Sequence, residues 1–167
     1  MDPRRRRFDA LCGPLRADLY RFAYWLARDP AVAEDVVQET LLRAWRSLDS
    51  LVDDRAAKAW LLTIARREHA RLHERRRHET VDVLELSPDD DASLATRDDH
   101  DAGDIHAAIL ALPEDYREPL VLQVLMGYST DEIARHLGLT TGAVLTRLCR
   151  ARQKLRRAVL GRGEETT

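Results

Sequence analysis

Apolar residues recur every three or four positions along most of this chain, and that spacing restricts the fold more than any other feature. Leu15, Leu19, Phe22 and Leu26 follow steps of four, three and four, which places them on one face of a helix. The N-terminal part contains no alternation with the period of two that a half-buried strand shows, and the C-terminal part repeats the helical spacing. We therefore predict an all-α fold.

One strongly acidic stretch interrupts the helical pattern. Residues 1–79 carry 17 basic and 13 acidic side chains and residues 107–167 carry 9 and 7, so both blocks are mildly basic. Residues 80–106 carry 1 basic and 9 acidic side chains, few large apolar residues and no sustained helical period. We interpret Thr80–Asp104 as a flexible acidic linker. It would join two small helical domains, one of three to four helices over residues 5–79 and a second over residues 105–162.

Secretion and membrane insertion are not expected. No apolar run approaches the ~18 residues that a membrane helix needs, and the basic cluster Arg4–Arg7 is not followed by the apolar segment of a signal peptide. Cys12 and Cys149 are far apart and in no ligand spacing. These features predict a cytoplasmic chain with free thiols.

Two further helices are predicted before the acidic stretch. Asp29 and Pro30 supply an N-cap and a proline at the first helical position. The predicted apolar stripe of this helix is Val37, Leu41, Ala44 and Leu48. A polar loop at 49–55 precedes another helix, which is predicted to begin near Ala57 and to bury Leu61, Ile64, Ala65 and Leu72.

A helix-turn-helix is predicted near the C-terminus. Ser129 and Glu132 form a capping box that opens a short helix, and Gly138 suits the left-handed position that ends it. Thr140 or Thr141 then caps a second helix that runs to about Arg157, with the inward positions Val144, Leu148, Ala151 and Leu155. This arrangement is typical of a DNA-binding helix-turn-helix, and an ordinary helical hairpin with a solvated basic face is the alternative.

The residues before the helix-turn-helix are also predicted to be helical. A short apolar segment covers Ile105–Leu112, and Pro113 opens the next one. Pro119 marks either the start of that second helix or a bend within it. Its predicted apolar positions are Tyr116, Leu120, Val121, Val124 and Leu125.

The last predicted helix presents two kinds of side chain. Four positions point outward, where they could contact base edges: Leu145, Thr146, Cys149 and Arg150. The remaining basic residues would mostly serve phosphates: Arg147, Arg152, Lys154, Arg156 and Arg157.

Three motifs in one order give the chain a family resemblance. They are AEDVVQETLLRAW at residues 33–45, AWLLTIAR at 59–66, and a final group made of LPE at 112–114, YSTDEIA at 128–134 and GAVLTRLCRAR at 142–152. With these motifs the sequence resembles the extracytoplasmic-function (ECF) group of bacterial sigma-70-type factors. The resemblance implies a helix that binds core RNA polymerase, a helix that recognises and melts the −10 element, and a domain that reads the −35 element.

The implied polymerase site lies on the helix that follows Asp29. Asp35, Gln38, Glu39 and Leu42 fall at i, i+3, i+4 and i+7, a single face opposite the apolar stripe. Carboxylates around an exposed leucine suit a basic helical partner, and a merely solvated acidic face fits the spacing equally well. The resemblance implies the first, with the clamp helices of the polymerase largest subunit as the partner.

The implied −10 site combines a basic ridge with a loop. Arg67, Arg71 and Arg75 follow steps of four, and the resemblance adds the loop Leu51–Lys58 as the holder of a flipped base. The full predicted −10 set is Lys58, Arg66, Arg67, Arg71 and Arg75. The family usually has Asn in place of Arg67 and often Asp or Asn in place of Arg71. Because Arg can only donate, whereas Asn both donates and accepts, the resemblance does not identify the −10 base that is read here.

The predicted −35 set is Thr141, Leu145, Thr146, Arg147, Cys149, Arg150 and Lys154. The family usually has Lys or Arg in place of Leu145. A leucine cannot contact phosphate or guanine, but it can pack on a thymine methyl group.

Other functions fit the sequence less well. His69, His73 and His78 lack the glutamate of a metalloprotease motif and lie among arginines, so we predict exposed histidines and no metal site. No phosphate loop, nucleophile elbow or carboxylate pair is visible, and we expect neither catalysis nor a cofactor. The expected partners are core RNA polymerase, promoter DNA and an anti-sigma factor, with the chain on the nucleoid when polymerase is bound. The alternative is a helix-turn-helix regulator that does not bind polymerase.

Overall fold

The computed structural model describes residues 1–81 and 100–163, with side chains for 1–78 and 103–161. Every regular element in these ranges is a helix, and neither range contains a strand, so the all-α prediction is confirmed. The chain divides into two compact units, Met1–Leu84 and Glu85–Thr167. None of the described helices is long and apolar enough to span a bilayer.

Over residues 1–81, the first unit contains four α-helices. These are α1 (Pro3–Cys12), α2 (Arg16–Ala27), α3 (Pro30–Arg46) and α4 (Ala57–Val81), and two short 3-10 turns, Leu48–Ser50 and Asp54–Ala56, connect α3 to α4. Helices α2, α3 and α4 pack against one another in all three pairs. Their fully buried side chains include Leu19, Phe22, Val36, Leu61 and Leu62.

The start of α3 forms as its sequence predicts. The Asp29 carboxylate accepts a hydrogen bond from the Ala31 amide at 2.9 Å, and Pro30 occupies the first turn, where its missing N–H costs nothing. The buried face, however, is centred one residue earlier than predicted. Val36 and Thr40 are fully buried, whereas Val37 and Leu41 are only half-buried.

Thr40 explains the error on α3. Its hydroxyl donates to the Val36 carbonyl at 2.6 Å, so a polar side chain is satisfied within its own helix and can occupy the core. Leu48 is buried as predicted, but it lies in the 3-10 turn after α3 has ended.

Helix α1 was not predicted, because its four consecutive arginines hide a short apolar pattern. Phe8, Leu11 and Leu15 pack against a buried cluster formed by Cys12, Ala44 and Leu61. Burial raises the pKa of the Cys12 thiol to about 11.

In the described part of the second unit, residues 100–163, there are again four α-helices. These are α5 (His100–Ala111), α6 (Glu114–Val124), α7 (Thr130–Leu137) and α8 (Thr141–Gly163), and α8 packs against each of the other three. Helices α4 and α5 extend into the two ends of the predicted linker, whose remaining residues, 82–99, lie outside the described ranges.

Pro119 was predicted either to start a helix or to mark a bend within one, and it lies within helix α6. The helix begins at Glu114, and Pro119 is buried inside it. All six residues from Arg117 to Leu122 are buried, so α6 is covered on every side over that stretch. Val124 was predicted to be apolar core but is 65% exposed, because α6 ends there and the chain turns at Gly127 (φ 70°). Ile105, at the exposed start of α5, is likewise uncovered.

Candidate nucleic-acid and partner interfaces

The predicted polymerase face of α3 is open to solvent. Asp35, Gln38 and Glu39 are exposed, and Leu42 is 43% exposed beside them. Within residues 1–78, no ion pair or hydrogen bond engages the three polar side chains. The opposite side of α3 carries the buried Val36, Thr40 and Ala44, which fixes the outward direction of this face.

Helix α4 carries the predicted basic ridge on its outer side. Arg67, Arg71 and Arg75 are all exposed, and Arg66 is half-buried. The Arg71 guanidinium lies 3.4 Å from a carboxylate oxygen of Glu68. Lys58, at the start of α4, lies 3.6 Å from the Asp18 carboxylate of α2, so that ammonium group faces a neighbouring helix.

Glu68 is a buried carboxylate for which no pattern in the sequence predicts a role. It is 7% exposed and forms an ion pair with the Arg43 guanidinium of α3 in addition to its contact with Arg71. One buried acid therefore joins α3 to the inner edge of the basic ridge. The partners are 25 positions apart along the chain, so no local spacing predicts the pair.

The prediction of exposed histidines is wrong for His69. It is only 8% exposed and faces α2 and α3, on the side of α4 opposite Arg67. With Asp29, Leu72, His73 and their neighbours it lines a small cavity of about 140 Å³. His69 lies one turn after Ala65, a fully buried position, so the helix geometry directs it inward. Among the described residues, no group of three or more potential ligands could hold a metal ion.

The loop between α3 and α4 has a defined shape. Leu51 is buried, whereas the next residue, Val52, is 96% exposed. Asp53 accepts a hydrogen bond from the Arg55 amide at 3.0 Å and pairs with the Arg55 guanidinium at 3.2 Å. These contacts with Arg55 lower the pKa of Asp53. The loop thus displays an apolar tip next to a fixed carboxylate.

The helix-turn-helix forms from α7 and α8 as predicted. The Ser129 hydroxyl accepts from the Glu132 amide at 3.2 Å, and Gly138 ends α7 with φ 66°. Thr140 is the cap of α8, because its hydroxyl accepts from the Ala143 amide at 3.1 Å. The Thr141 hydroxyl instead donates to the Asp131 carboxylate at 3.1 Å and so joins the beginnings of the two helices.

The outer face of α8 has the predicted orientation. Leu145, Thr146, Cys149 and Arg150 are all exposed, and Leu145 is 54% exposed. The opposite face buries Val144, Leu148 and Ala151 completely and Leu155 in part. The four side chains therefore face solvent together, and the Thr146 hydroxyl donates to the Gly142 carbonyl of the same helix at 3.0 Å.

Three basic residues of α8 contact α6. Arg147 lies 3.5 Å from the Asp115 carboxylate, Arg152 donates to the Gln123 amide oxygen, and the Lys154 ammonium lies 5.5 Å from the centre of the Tyr116 ring. Asp115, Tyr116 and Gln123 were not predicted as functional residues, and their distance along the chain from α8 leaves no local signal. They fix the direction of long side chains that would otherwise rotate freely.

Comparisons with known proteins match both units. Residues 13–79 match the family model "Sigma-70 region 2", and residues 102–155 match "Sigma-70, region 4". The chain is 35% identical over 144 residues to the ECF RNA polymerase sigma factor EcfG of Rhodopseudomonas palustris, an alignment covering 82% of this chain and 76% of that relative. The chain belongs to the ECF sigma factor family.

Other ECF sigma factors give the same result. SigL of Mycobacterium tuberculosis is 37% identical over 150 residues, covering 84% of this chain and 81% of that one. Among solved structures, the chain is similar to the sigma factor RpoE of Bartonella quintana in its complex with the anti-sigma factor NepR, with a TM-score of 0.73 and 29% identity over 90% of this chain and 97% of that one. This sigma factor thus directs RNA polymerase to promoters, and the presence of region 2 disfavours the regulator that uses a helix-turn-helix alone.

Proposed function

We propose that the two units of this sigma factor divide its work. The first would bind core RNA polymerase and melt the −10 element, and the second would read the −35 element. The observation that carries this division is the unengaged acidic face of α3, which belongs to a different helix of the first unit from the basic ridge of α4, while the second unit has the open face of α8. One surface is suited to a basic protein and the other two to DNA.

The acidic face would bind through charge and one apolar contact. Asp35 and Glu39 offer carboxylates to a basic partner helix, and Leu42, about one turn after Glu39, offers an apolar contact beside them. The clamp helices of the polymerase largest subunit are the partner that we propose. These side chains have no ion-pair or hydrogen-bond partner among the described residues. Binding to a partner would therefore not require an existing contact to be broken.

The −10 element would be opened by the ridge and the loop together. Arg67 and Arg75 are exposed and can follow the phosphates of one strand, whereas Lys58 and Arg71 must first leave Asp18 and Glu68. Flipping a base out of the duplex costs a few kcal/mol of stacking free energy. Contacts between that base and a preformed site must compensate for this cost. The loop with Val52 at its tip supports that role.

The −35 element would be read by the open face of α8. Arg150 can donate two hydrogen bonds to guanine, Leu145 can pack on a thymine methyl group, and Thr146 and Cys149 lie between them. The amides at the start of α8 suit a phosphate at the edge of the groove. The Thr141 hydroxyl would have to leave the Asp131 carboxylate before it could donate to that phosphate.

The remaining assignments follow from this division. RNA synthesis would stay with the polymerase, so the chain would supply binding energy and no catalytic group or cofactor. It would act in the cytoplasm and would lie on the nucleoid while polymerase is bound. An anti-sigma factor is a further proposed partner, supported by the complex of RpoE with NepR.

A binding experiment with core polymerase tests the proposed division. Glu39→Arg should weaken binding by at least about 1 kcal/mol, because a cation would then face a basic partner. The fold should be unchanged, since Glu39 is exposed. Asp9→Arg, the same change from an acid to arginine at an exposed position of α1, is the matched control and should bind like the unaltered chain. Equal affinity of the Glu39 and Asp9 variants would contradict the assignment of this face.

A further inference from the structure

Two arginines of helix α1 make polar contacts with the end of α3 and with the loop that follows it. The first of them, Arg4, contacts the end of α3. The Arg4 guanidinium donates to the Trp45 carbonyl at 2.8 Å and approaches the Arg46 carbonyl at 3.5 Å. It also lies 5.0 Å from the centre of the Trp45 ring and 3.8 Å from the Asp49 carboxylate. Arg4 therefore satisfies carbonyls that the last turn of a helix leaves without partners.

The second contact is in the loop itself. The Arg7 guanidinium donates to the Leu51 carbonyl at 2.7 Å and to the Asp54 carboxylate at 2.7 and 3.2 Å. Leu51 and Asp54 lie on either side of the exposed Val52 and Asp53. One side chain from α1 thus fixes both ends of the loop tip.

The helix that supplies these two arginines is itself well anchored. The Phe8 ring meets the Trp45 ring edge to face at 5.3 Å, and Cys12 is 2% exposed in the core beneath. Helix α1 precedes the residues that match the region 2 family model, which begin at residue 13. A rigid element outside that match therefore sets the geometry of a loop inside it.

We propose that Arg4 and Arg7, the α1 arginine pair, hold the loop in the shape that receives the displaced −10 base. The inference rests on the proposed −10 role of this loop and names three positioning residues: Arg4, Arg7 and the Arg7 partner Asp54. A site for one flipped base must exist before the base arrives, because ordering a loose loop would consume the binding energy that replaces stacking. Two charge-assisted contacts on either side of the tip provide that order.

The main competing interpretation is that the α1 arginine pair only stabilises the first unit. A purely structural role would lower the amount of active protein equally for every promoter. A positioning role would change which −10 base is preferred. The two interpretations therefore separate on base preference rather than on total activity.

The experiment is a transcription selection with core RNA polymerase and a promoter library randomised at both elements. The full-length chain is compared with Arg7→Ala, Asp54→Asn and Arg7→Lys. Arg5→Ala is the matched control, since Arg5 is exposed on the same helix and, among the residues whose side chains are described, pairs only with Asp9, at 3.9 Å. Preference at each −10 and −35 position is read by sequencing the transcribed templates.

We expect Arg7→Ala and Asp54→Asn to lose base preference severalfold at one −10 position and to keep the −35 preference. Arg7→Lys should recover part of it, because an ammonium group can still donate to Leu51 or Asp54. Arg5→Ala should match the unaltered chain. Asp54 is exposed and outside the core, so its variant carries the test if Arg7→Ala fails to fold.

Full −10 preference in both the Arg7→Ala and Asp54→Asn variants would overturn the inference. So would an equal loss at both promoter elements. If the unaltered chain itself selected no promoter with core polymerase, the proposed function would fail first, and this result is distinct from the other two.

Discussion

At the scale of single residues, α8 separates its basic side chains into two groups. Arg147, Arg152 and Lys154 are held by α6, whereas Arg150 stands alone as a long donor on the open face. The sequence predicted the orientation of this face correctly, because helical periodicity alone fixes it. The contacts to α6 could not be predicted, since they join residues 29 to 38 positions apart.

Arg150→Ala should relax the preference at one −35 position. A bidentate contact to guanine is worth ~1–3 kcal/mol of discrimination, which this variant removes. Arg156→Ala, farther along α8, should weaken binding to all sequences about equally. Affinities for a set of duplexes with single −35 substitutions would measure both, and the same uniform loss in the two variants would contradict the proposed register of α8.

The two cysteines should react with thiol reagents at very different rates. Cys149 is exposed, whereas Cys12 is buried and its pKa is raised to about 11. At pH 8 one equivalent of a maleimide should modify Cys149 and leave Cys12 intact, as mass spectrometry of peptides would show. Modification of Cys12 in the folded chain would contradict its burial.

Alkaline pH should destabilise the first unit through Cys12. The pKa of this thiol is 9.0 when unperturbed and about 11 in the fold, so the fold favours the neutral form. The neutral thiol therefore contributes to the free energy of unfolding. This contribution is complete below pH 9 and is lost as the pH rises through 11, because the Cys12 thiol ionises at lower pH in the unfolded chain than in the fold. Denaturant titrations between pH 8 and 11 should show this decline, and Cys12→Ala should reduce it.

At the scale of helices, the predictions that failed concern which side chains are buried. Packing between helices determines this burial, and helical periodicity alone does not. Helix α3 was predicted from its cap and stripe, yet its core face includes Thr40, which a count of apolar residues passes over. Helix α1 was missed because four arginines mask Phe8, Leu11 and Cys12. His69 was predicted to be exposed because it is polar. Its position one turn after the buried Ala65 places it on the buried side of α4 instead.

Glu68→Gln should destabilise the first unit by about 1–3 kcal/mol, because Arg43 loses a buried anionic partner. All three tryptophans, Trp25, Trp45 and Trp60, belong to this unit, so their fluorescence in a urea titration reports its unfolding alone. Glu74→Gln, an exposed position on the same helix, is the control and should leave the midpoint unchanged. An equal midpoint for both variants would show that the Glu68 pair contributes nothing.

At the scale of the whole chain, the distribution of charge matters more than the net charge of −2. Two mildly basic blocks flank the acidic residues 80–106. The division into two helical units could be predicted from this pattern, since a stretch with few large apolar residues cannot build a core. Which residues end each unit could not, because helices α4 and α5 extend past the predicted boundaries.

Replacing acidic residues of the linker should strengthen binding to promoter duplex. Asp89, Asp90, Asp91, Asp98 and Asp99 changed together to Asn would remove five negative charges that repel DNA or compete for the basic surfaces. The gain should be largest at low ionic strength, where charges act over the greatest distance. Equal affinity of the two chains at low salt would show that the linker does not oppose binding.

The contacts between α6 and α8 also set how many counterions DNA binding releases. Each cation that newly neutralises a phosphate frees condensed counterions, and the slope of log affinity against log salt counts them at ~0.9 per contact. Arg147, Arg152 and Lys154 already have a carboxylate, an amide oxygen and an aromatic ring beside them. A side chain that stays with its protein partner does not neutralise a phosphate, so it releases no counterions from the DNA. The slope for −35 duplex should therefore fall short of the number of basic residues along α8, and it should steepen when Asp115 is changed to Asn.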